Sequence, residues 1–572
     1  MNKSDILHIN SRYHTHDCFV ESLNTVGIRL RCGKDVDGVV VVYNDPYLRN
    51  EIDGSLVWPY KKCEMRLSGE TDNYKFFSCR LSCEQRRLKY YFLIYSGSEV
   101  WQYSESGFTQ GYSHDFLSMF FVPYIDKNRI HIPYEWLKNT VWYQILPSRF
   151  AAVSDGAPCG MKGIESRLEY LKRLGVNGLY LNPVYHGKSY HKYDVIDYGH
   201  IDPDFGTDED FVSLCNAAHK MGMKVMMDIS FTHCSSENPF WQSVRRDKEK
   251  SKYYGWFNIY ENDRGQLLYE TFAYEKEMPK FNTENFRVIE YFCNNVIKHW
   301  MNKCGIDAWR IDVANEISDD LLIKVKSVMH DIDPESYMVG EIWHNAADWI
   351  SRKRLDGVTN YGISRAILSF VCSREHDVKA YKNSVNTLIH SYTPCQLSMS
   401  MGLLDSHDTP RLRYMCENDK DKFKLALFLL MTFYGTPSLY YGTERYMDGA
   451  GDPDCRRFVD WNDASEEMNE IFNIVSLFIK LRKEHTALAN DGDFTFENSD
   501  DNLLVYSRQS EDEKLYCVIN SREYDVNSHL YFSNGKRYIN IINGDEIAPD
   551  IHMGRLGFMI LKEIDGSGKG LV

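Results

Sequence analysis

The sequence predicts an α/β protein built around a (β/α)8 barrel of the TIM type, with a β domain on either side of it. From about residue 135 to 485, apolar strand-like runs alternate with amphipathic helix patterns, and this stretch has room for eight βα units. Short alternating runs separated by turn residues fill residues 1–130, which predicts an antiparallel β-sandwich. The same alternation returns over residues 489–563 as a second antiparallel β domain, and residues 564–572 are predicted to be a flexible tail.

Two segments show the barrel pattern most clearly. In the first, Leu168, Leu171 and Leu174 fall on one stripe of a predicted helix that Gly175 ends, and the apolar strand GLYLNP follows. In the second, the helix pattern DEDFVSLCNAAHK closes near Gly222 and leads into the strand KVMMDIS. Repeated βα units of this kind imply a parallel sheet.

Charge and cysteine usage narrow the partners and the compartment. A net charge of −15 argues against nucleic acid or an anionic membrane as a partner. No segment is apolar enough over the length that a bilayer requires, and the first residues show no signal-peptide pattern. The 15 cysteines have no paired CxxC spacing, which favours reduced thiols in a cytoplasmic protein over a disulfide framework or a zinc site.

Polar residues recur at the carboxyl ends of the predicted barrel strands. They are Asp228, His233, Arg310, Asp312, Glu341, Trp343, His344, His407 and Asp408. In a (β/α)8 barrel, catalytic residues are assembled at that end. We interpret His344, together with Asp307 and Asp405, as a local hydrogen-bond partner, and the other residues as parts of one site.

The spacing of the acids assigns them to strands. Asp312 and Glu341 are 29 residues apart, about one βα unit, and Asp408 follows about two units later. This spacing places the three acids on the fourth, fifth and seventh strands. The longer interval between Asp228 and Asp312 predicts a small domain inserted after the third strand, residues 234–285, which leans over the barrel mouth.

The stretch GIDAWRIDVANE places a cation and an anion on one strand face. Side chains alternate along a strand, so Ile306, Ala308, Arg310 and Asp312 share a face. The first two are expected to fill the barrel interior and the last two to emerge at its rim. An Arg beside a carboxylate keeps it ionised, as a nucleophile requires. The alternative is a buried structural ion pair, which the other polar residues at the same rim argue against.

At this point the chain resembles a known family. DISFTH, GIDAWRIDVANE, GEIWHNA and LLDSHDTPR resemble, in order and spacing, the four short motifs of the α-amylase family of glycoside hydrolases. MPKFN, GAGDPDCRR and SYHKYDVIDY resemble loops of its neopullulanase, cyclomaltodextrinase and maltogenic amylase subgroup. The resemblance extends over nearly the whole chain, including an N-terminal β domain.

The resemblance implies a role for each matching residue. Asp312 matches the nucleophile, Glu341 the general acid/base and Asp408 the transition-state stabiliser. The residues that match contacts to the sugar are Tyr193, His233, Arg310, His407, Asp452 and Arg456. Trp343, two residues after the acid/base, is grouped with them as a substrate-binding residue. The implied substrate is an α-glucan such as a cyclodextrin, a malto-oligosaccharide, pullulan or starch, cleaved by a retaining mechanism.

Two departures from the family bear on metal binding. Thr232 stands where many α-amylases have an Asn that binds calcium, and RFAAVSDGAP lacks the Asn/Asp-rich calcium loop of the subgroup. We therefore expect no cofactor and no bound metal, with calcium as the less favoured alternative.

Other functions and assemblies are open on this scaffold. A transglycosylase or glucosyl isomerase has the same residues, while a non-catalytic sugar-binding protein is expected to lack at least one of the three acids. The resemblance also implies a homodimer in which the N-terminal domain narrows the partner's active-site mouth. The alternative role of the N-terminal domain is to bind carbohydrate as an appendage of the catalytic barrel.

Overall fold

The structure is a computed structural model that describes residues 1–10, 15–111, 116–127, 130–151, 160–263, 267–532 and 536–564. It confirms the predicted fold class: a parallel eight-stranded barrel lies between two antiparallel β domains. Apart from Ile564, the predicted tail lies outside the described residues, and so do residues 152–159 of the segment in which the calcium loop was sought.

The N-terminal domain is a two-sheet β-sandwich. One sheet has the strand order Cys18–Ser22, Thr25–Gly33, Tyr74–Ser82 and Arg66–Glu70. The other has the order Gly107–Gln110, Glu99–Ser104, Leu88–Ser96, Gly38–Asn44 and Lys61–Glu64, with Phe120–Val122 paired to Leu88–Ser96. Inward-facing residues such as Ile28, Leu30, Val41 and Phe92 fill the space between the sheets, as the alternation predicted.

The barrel strands run in chain order, and we number them 1 to 8. They are Trp142–Ile145, Gly178–Leu181, Lys224–Ser230, Ala308–Asp312, Tyr337–Gly340, Gly357–Val358, Met401–Gly402 and Thr436–Tyr440. Strand 8 pairs with strand 1, and a parallel bridge between Thr359 and Met401 closes the ring between strands 6 and 7. Asp312 ends strand 4, Glu341 follows strand 5 and Asp408 lies in the loop after strand 7, in agreement with the strands that the spacing predicted.

Helices surround the barrel and contribute to the connections at its ends. Their bounds are Pro147–Phe150, Gly160–Ser166, Leu168–Leu174, Asp208–Lys220, Pro239–Asp247, Phe286–Tyr291, Lys298–Cys304, Asp319–Ile332, Tyr361–Val371, Val378–His390, Pro394–Met399, Leu412–Met415, Lys420–Met431 and Glu466–Glu484. None of the helices in the described ranges is long and apolar enough to cross a lipid bilayer.

Local sequence signals explain where these helices begin and end. Thr207 and Asp210 form a capping box at the start of helix Asp208–Lys220, satisfying backbone N–H groups that have no helical partner. Gly175 ends helix Leu168–Leu174 in the left-handed conformation, with φ of 103°, as predicted for a C-cap.

The barrel interior is apolar at the amino ends of the strands. Trp142, Tyr180, Met226, Ala308 and Val339 pack there in one cluster, whereas the alternate residues of the same strands pack against the helices. Gly178 has no side chain because the Trp142 ring occupies that space; an added Cβ would lie 2.4 Å from it.

One sequence expectation about this interior is wrong. Ile306 was expected inside the barrel, but it precedes strand 4 and belongs to the hydrophobic cluster that the helices share. Regular alternation begins only with the strand itself, at Ala308.

The insertion after strand 3 and the C-terminal domain complete the fold. Strands Ile259–Glu261 and Leu267–Tyr269 form a hairpin in the insertion, and a bridge from His233 to Lys280 joins its two ends near the barrel mouth. The C-terminal domain has two sheets. The larger has the strand order Asp493–Phe496, Leu503–Gln509, Lys514–Asn520, Phe558–Ile564, Arg537–Asn540 and Glu546–Ile547, and the smaller pairs Val526–His529 with Asp550–Met553.

Candidate active site

The interior face of the barrel changes from apolar to charged toward the carboxyl ends of the strands. On strand 4, Ala308 is followed on the same face by Arg310 and Asp312. The parallel register sets Met226 beside Ala308 and Asp228 beside Arg310. Because this end lies above the apolar cluster, the charged groups are held in a largely dry environment.

Arg310 is the centre of the site. Its Nη1 donates to Asp312 at 2.7 Å and to Asp228 at 2.9 Å, and its Nη2 lies 2.9 Å from Glu341 Oε2. The Arg310 side chain is only 2% exposed. One guanidinium therefore joins carboxylates from strand 3, strand 4 and the residue after strand 5.

The sequence predicted that Arg310 keeps Asp312 ionised, but in the structure Asp312 shares this guanidinium with Asp228 and Glu341. Burial raises the pKa of Asp312 well above its usual value; Arg310 opposes this shift, and the neighbouring Glu341 and Asp228 add to it. Burial likewise raises the pKa of Asp228. Asp228 and Asp312 therefore bind a proton more readily than an isolated Asp does.

Glu341 is held by two further donors. The indole N–H of Trp343 donates to its Oε1 at 2.9 Å, and the backbone N–H of Val313 donates to its Oε2 at 3.1 Å. Val313 adopts the left-handed conformation with φ of 45°, which is strained for a β-branched residue. Trp343 stacks on Tyr361 with ring centroids 4.0 Å apart and is 47% exposed, so one face of the indole is open to a ligand.

Asp408 lies beside a second cation. Arg456 Nη2 is 3.3 Å from its Oδ1, and His407 Nε2 is 3.2 Å from its Oδ2. Burial raises the pKa of Asp408, and both Arg310 and Arg456 act against that shift. Arg456 also bonds the His407 carbonyl at 2.7 Å and Asp452 at 3.2 Å, so the loop after strand 8 is tied to the loop after strand 7.

Tyr193 joins these groups through its ring and its hydroxyl. Its ring stacks on His407 with an interplanar angle of 6° and centroids 5.5 Å apart. Its hydroxyl donates to Asp228 at 2.8 Å and lies 2.8 Å from His407 Nε2. Burial, with Arg310 and Arg456 nearby, lowers the pKa of His407 well below its usual value, so the imidazole is neutral.

His233 lies at the same end of the barrel but is not bonded to the carboxylates among the residues that the structure describes. Its ring nitrogens contact the hydroxyls of Ser230 and Thr232, and its ring stacks on Phe272 of the insertion at 4.6 Å. Burial lowers its pKa to about 3. The structure thus brings nine of the ten predicted residues into one bonded network, with His233 adjacent to it.

Sequence reasoning missed several members of this network. Tyr180 and Asn182 both donate to Asp228 Oδ2, at 2.8 and 3.3 Å, and Gln144 bonds His407 Nδ1 at 2.8 Å. Tyr190 bonds Arg456 and Asp452. The sequence already indicated the strand GLYLNP. Because side chains alternate along a strand, Asn182 shares a face with Tyr180, and this pattern could have identified Asn182 as a site residue.

The residues set aside as structural are confirmed in that role. Asp307 accepts from Lys224 at 2.7 Å and bonds His219, and Asp405 accepts from Thr443 and from a backbone N–H. His344 bonds the neighbouring Asn345 carbonyl. Across the described ranges, no group of three or more His, Cys, Asp or Glu side chains is arranged to hold a metal ion.

Comparison with known proteins assigns the chain to a family. Residues 144–471 match the α-amylase catalytic domain, residues 1–126 the N-terminal immunoglobulin-like domain of α-amylases, and residues 494–559 the C-terminal domain of maltogenic amylases. The chain therefore belongs to the α-amylase family of glycoside hydrolases, and the resemblance seen in its motifs is confirmed.

Individual relatives cover nearly the full length. The chain is 34% identical to a maltogenic α-amylase of Bacillus acidopullulyticus, over 91% of this chain and 92% of that protein. It is 34% identical to a cyclomaltodextrinase of Geobacillus thermopakistaniensis (95% and 96%) and 32% identical to neopullulanase 2 of Thermoactinomyces vulgaris (91% and 92%). A solved cyclomaltodextrinase structure superimposes with a TM-score of 0.88 at 28% identity, over 99% of this chain and 100% of that one.

Proposed function

We propose that this protein is a retaining hydrolase of α-glucans that cleaves α-1,4-glucosidic bonds, and α-1,6 bonds where its cleft admits them. The substrates we propose are cyclodextrins, malto-oligosaccharides, pullulan and starch. Relatives named cyclomaltodextrinase, maltogenic amylase and neopullulanase support this substrate class. No cofactor is part of the proposal.

The observation that carries it is the contact of two carboxylates with one guanidinium. Asp312 and Glu341 bond different nitrogens of Arg310, at 2.7 and 2.9 Å. Carboxylates held this closely suit the separation of about 5–5.5 Å that retaining glycosidases use.

In the proposed mechanism, Asp312 attacks the anomeric carbon while Glu341 protonates the departing glycosidic oxygen. This step forms a covalent glycosyl-enzyme. Glu341 then removes a proton from water, which displaces Asp312 with a second inversion, so the anomeric configuration is retained. Asp408, beside Arg456, stabilises the positive charge that develops on the sugar ring in both transition states.

The remaining residues are assigned to the sugar. We place Tyr193 against the apolar face of the glucose unit at the point of cleavage, with His233 and His407 as hydrogen-bond partners of its hydroxyls. Asp452 and Arg456 hold the same unit from the loop after strand 8. Trp343, with one open face, stacks on the sugar on the leaving-group side.

The test is the variant Asp312→Asn, assayed on cyclodextrin, maltotriose, pullulan and starch. We expect turnover to fall by at least about 10³-fold, because no nucleophile remains. Asp307→Asn is the matched control: residue 307 precedes strand 4 at the opposite end of the barrel, and an Asn there still offers an acceptor to Lys224 and to the Val225 N–H, so this variant should keep its activity. Unchanged turnover in Asp312→Asn would contradict the mechanism. So would an inverted anomeric configuration of the wild-type products, observed by NMR.

Product analysis on the wild-type protein separates hydrolysis from its alternatives. Transglycosylation or isomerisation yields longer or re-linked oligosaccharides at high substrate concentration, whereas a hydrolase yields shorter ones throughout. Linkage-resolved products from the four substrates therefore also establish the preferred bond.

We further propose a homodimer formed through the N-terminal domain. Leu56 and Ile52, on the hairpin Asn50–Ile52/Ser55–Val57, are 72% and 53% exposed, and the preceding Tyr47 is 71% exposed. Grouped apolar residues of this kind favour an interface. Sedimentation at micromolar concentration should give a dimer that Leu56→Lys weakens and that Tyr531→Lys, in the C-terminal domain, does not; a wild-type monomer would contradict it.

A cytoplasmic location is the last part of the proposal. Two relatives from Bacillus subtilis, 32% and 31% identical, are named intracellular maltogenic amylase. The fourteen cysteines in the described ranges are free thiols, which suits a reducing compartment. Fractionation of the source cells should recover the activity with cytoplasmic markers, and recovery from the medium would refute this part.

A further inference from the structure

Tyr193 lies in an irregular loop after barrel strand 2. The loop connects two short antiparallel strands, Tyr185–Gly187 and Val195–Ile201. The ring of Tyr193 is nevertheless parallel to that of His407, and its hydroxyl is 2.8 Å from Asp228. Because strand pairing does not reach residue 193, other contacts must fix the backbone there.

Lys192, the residue before Tyr193, has a buried ammonium group. Its side chain is 2% exposed, and its Nζ lies 2.8 Å from Asp202 Oδ2 and 3.2 Å from Asp204 Oδ2. The same ammonium donates to the Gly187 carbonyl at 2.9 Å. These three acceptors match the three N–H donors of a lysine. A fully buried lysine is rare unless it is paired in this way.

The two carboxylates that face Lys192 differ in their surroundings. Asp202 is 2% exposed, and it also accepts from the backbone N–H of Gly187 at 3.0 Å and from that of Asp204 at 2.8 Å. The side chain of Asp204 is 79% exposed and is therefore screened by solvent. The ion pair with Asp202 is the one that holds the loop, because a buried charge is costly to leave without its partner.

The backbone on either side of Tyr193 is strained and anchored. Lys192 adopts the left-handed region with φ of 60°, which a residue with a side chain keeps only where its surroundings enforce it. The loop also closes tightly, since a Cβ added at Gly187 would lie 3.3 Å from the Lys192 Cα. On the other side, Asp194 accepts from the Ser189 N–H at 3.0 Å and from its hydroxyl at 2.6 Å. Tyr193 is therefore held between two fixed residues.

We propose that Lys192 is a positioning residue for the glycosidase reaction and that it acts through Tyr193. Its buried ion pair with Asp202 holds the strained backbone at residue 192. In that conformation the next side chain reaches His407 with its ring and Asp228 with its hydroxyl. This inference rests on the proposed function, in which Tyr193 contacts the glucose unit at the point of cleavage.

The experiment is a double-mutant cycle on the full-length protein, with kcat/KM for maltotriose as the measurement. Lys192→Met and Tyr193→Ala should each lower kcat/KM at least about tenfold, because a misplaced contact to the sugar is costly. The double variant should fall no more than about twofold below Tyr193→Ala, since Lys192 then has no side chain left to position. Asp202→Asn should also lower kcat/KM, at least about fivefold, whereas the matched control Asp204→Asn should stay within about twofold of wild type.

Independent losses in the cycle, which multiply in the double variant, would overturn the proposal. Equal losses in Asp202→Asn and Asp204→Asn would do so too, and that comparison holds even where Lys192→Met does not fold. Crystal structures of the wild-type protein and of Asp202→Asn test the positioning without turnover. A Tyr193 ring that keeps its place on His407 in both would contradict the inference, whereas a displaced ring in a protein that cleaves no glucan would support it and refute only the proposed function.

Discussion

Replacing Arg310 with Gln removes the cation that three carboxylates share. The bonds to Asp312 and Glu341, at 2.7 and 2.9 Å, are charge-assisted and almost fully buried. Such bonds contribute about 1.5–3 kcal/mol each. Their joint loss amounts to about 3–6 kcal/mol, which corresponds to a fall in kcat/KM of about 10²–10⁴-fold.

The same substitution has a predicted effect on the pH profile. Burial raises the pKa of Asp312 and Asp408, and Arg310 opposes both shifts. Without the guanidinium, both pKa values rise further. Because the attack requires an ionised Asp312, the acid limb of kcat/KM moves to higher pH.

The assay is kcat/KM for a malto-oligosaccharide measured from pH 4 to pH 9, with circular dichroism to verify the fold. Arg482→Gln is the matched control, because Arg482 is equally buried but bonds the carbonyls of Met431, Phe433 and Gly435, near the amino end of strand 8. It should lower the unfolding temperature and leave the pH profile in place. A loss below tenfold, or an unmoved acid limb in a folded Arg310→Gln protein, would refute the reasoning.

Three further predictions concern neighbours of this cluster. Trp343→Phe keeps a ring for stacking but loses the N–H donor to Glu341, so kcat/KM should fall about tenfold while the wild-type fold is retained. An unchanged kcat/KM would show that this hydrogen bond does not contribute to catalysis. Val313→Gly relieves a left-handed β-branched residue while keeping its N–H, and should raise the free energy of unfolding by about 1 kcal/mol in denaturant titrations with activity within about twofold of wild type. Asp312→Asn should raise the midpoint of thermal unfolding at pH 7 by about 2 °C. The pKa of Asp312 is higher in the folded than in the unfolded protein, so the folded state loses stability as the pH rises above the unfolded-state pKa. An Asn cannot ionise, so the variant avoids this loss at pH 7. A lower unfolding midpoint in Asp312→Asn would contradict the argument.

Much of the site could be predicted because strand alternation and βα spacing are local properties of the sequence. Alternation placed Arg310 and Asp312 on one face, and spacing assigned Glu341 to the adjacent strand. Ile306 was misplaced because the strand begins two residues later than the apolar pattern does.

The rest depended on information that is not local. The nearest acid in sequence to Arg310 is Asp312, but the parallel register sets Asp228, 82 residues away, directly beside it. A sequence does not reveal which residues of two strands lie opposite each other, so the sharing of one cation was not foreseen. The hydrogen bond from the Val313 N–H to Glu341 requires a left-handed backbone at residue 313. A Val at that position gives no sequence signal for this conformation.

The register between strands 3 and 4 links the fold to the chemistry. A shift of one residue in strand 4 would exchange Arg310 and Asp312 with Trp309 and Ile311, sending both charges into the helix-facing layer. Ion pairs to strand 3 oppose that shift at both ends. At the amino end, Asp307 accepts from Lys224 and from a strand 3 N–H; at the carboxyl end, Arg310 bonds Asp228. The pairing that aligns the catalytic groups therefore also fixes the strands that carry them.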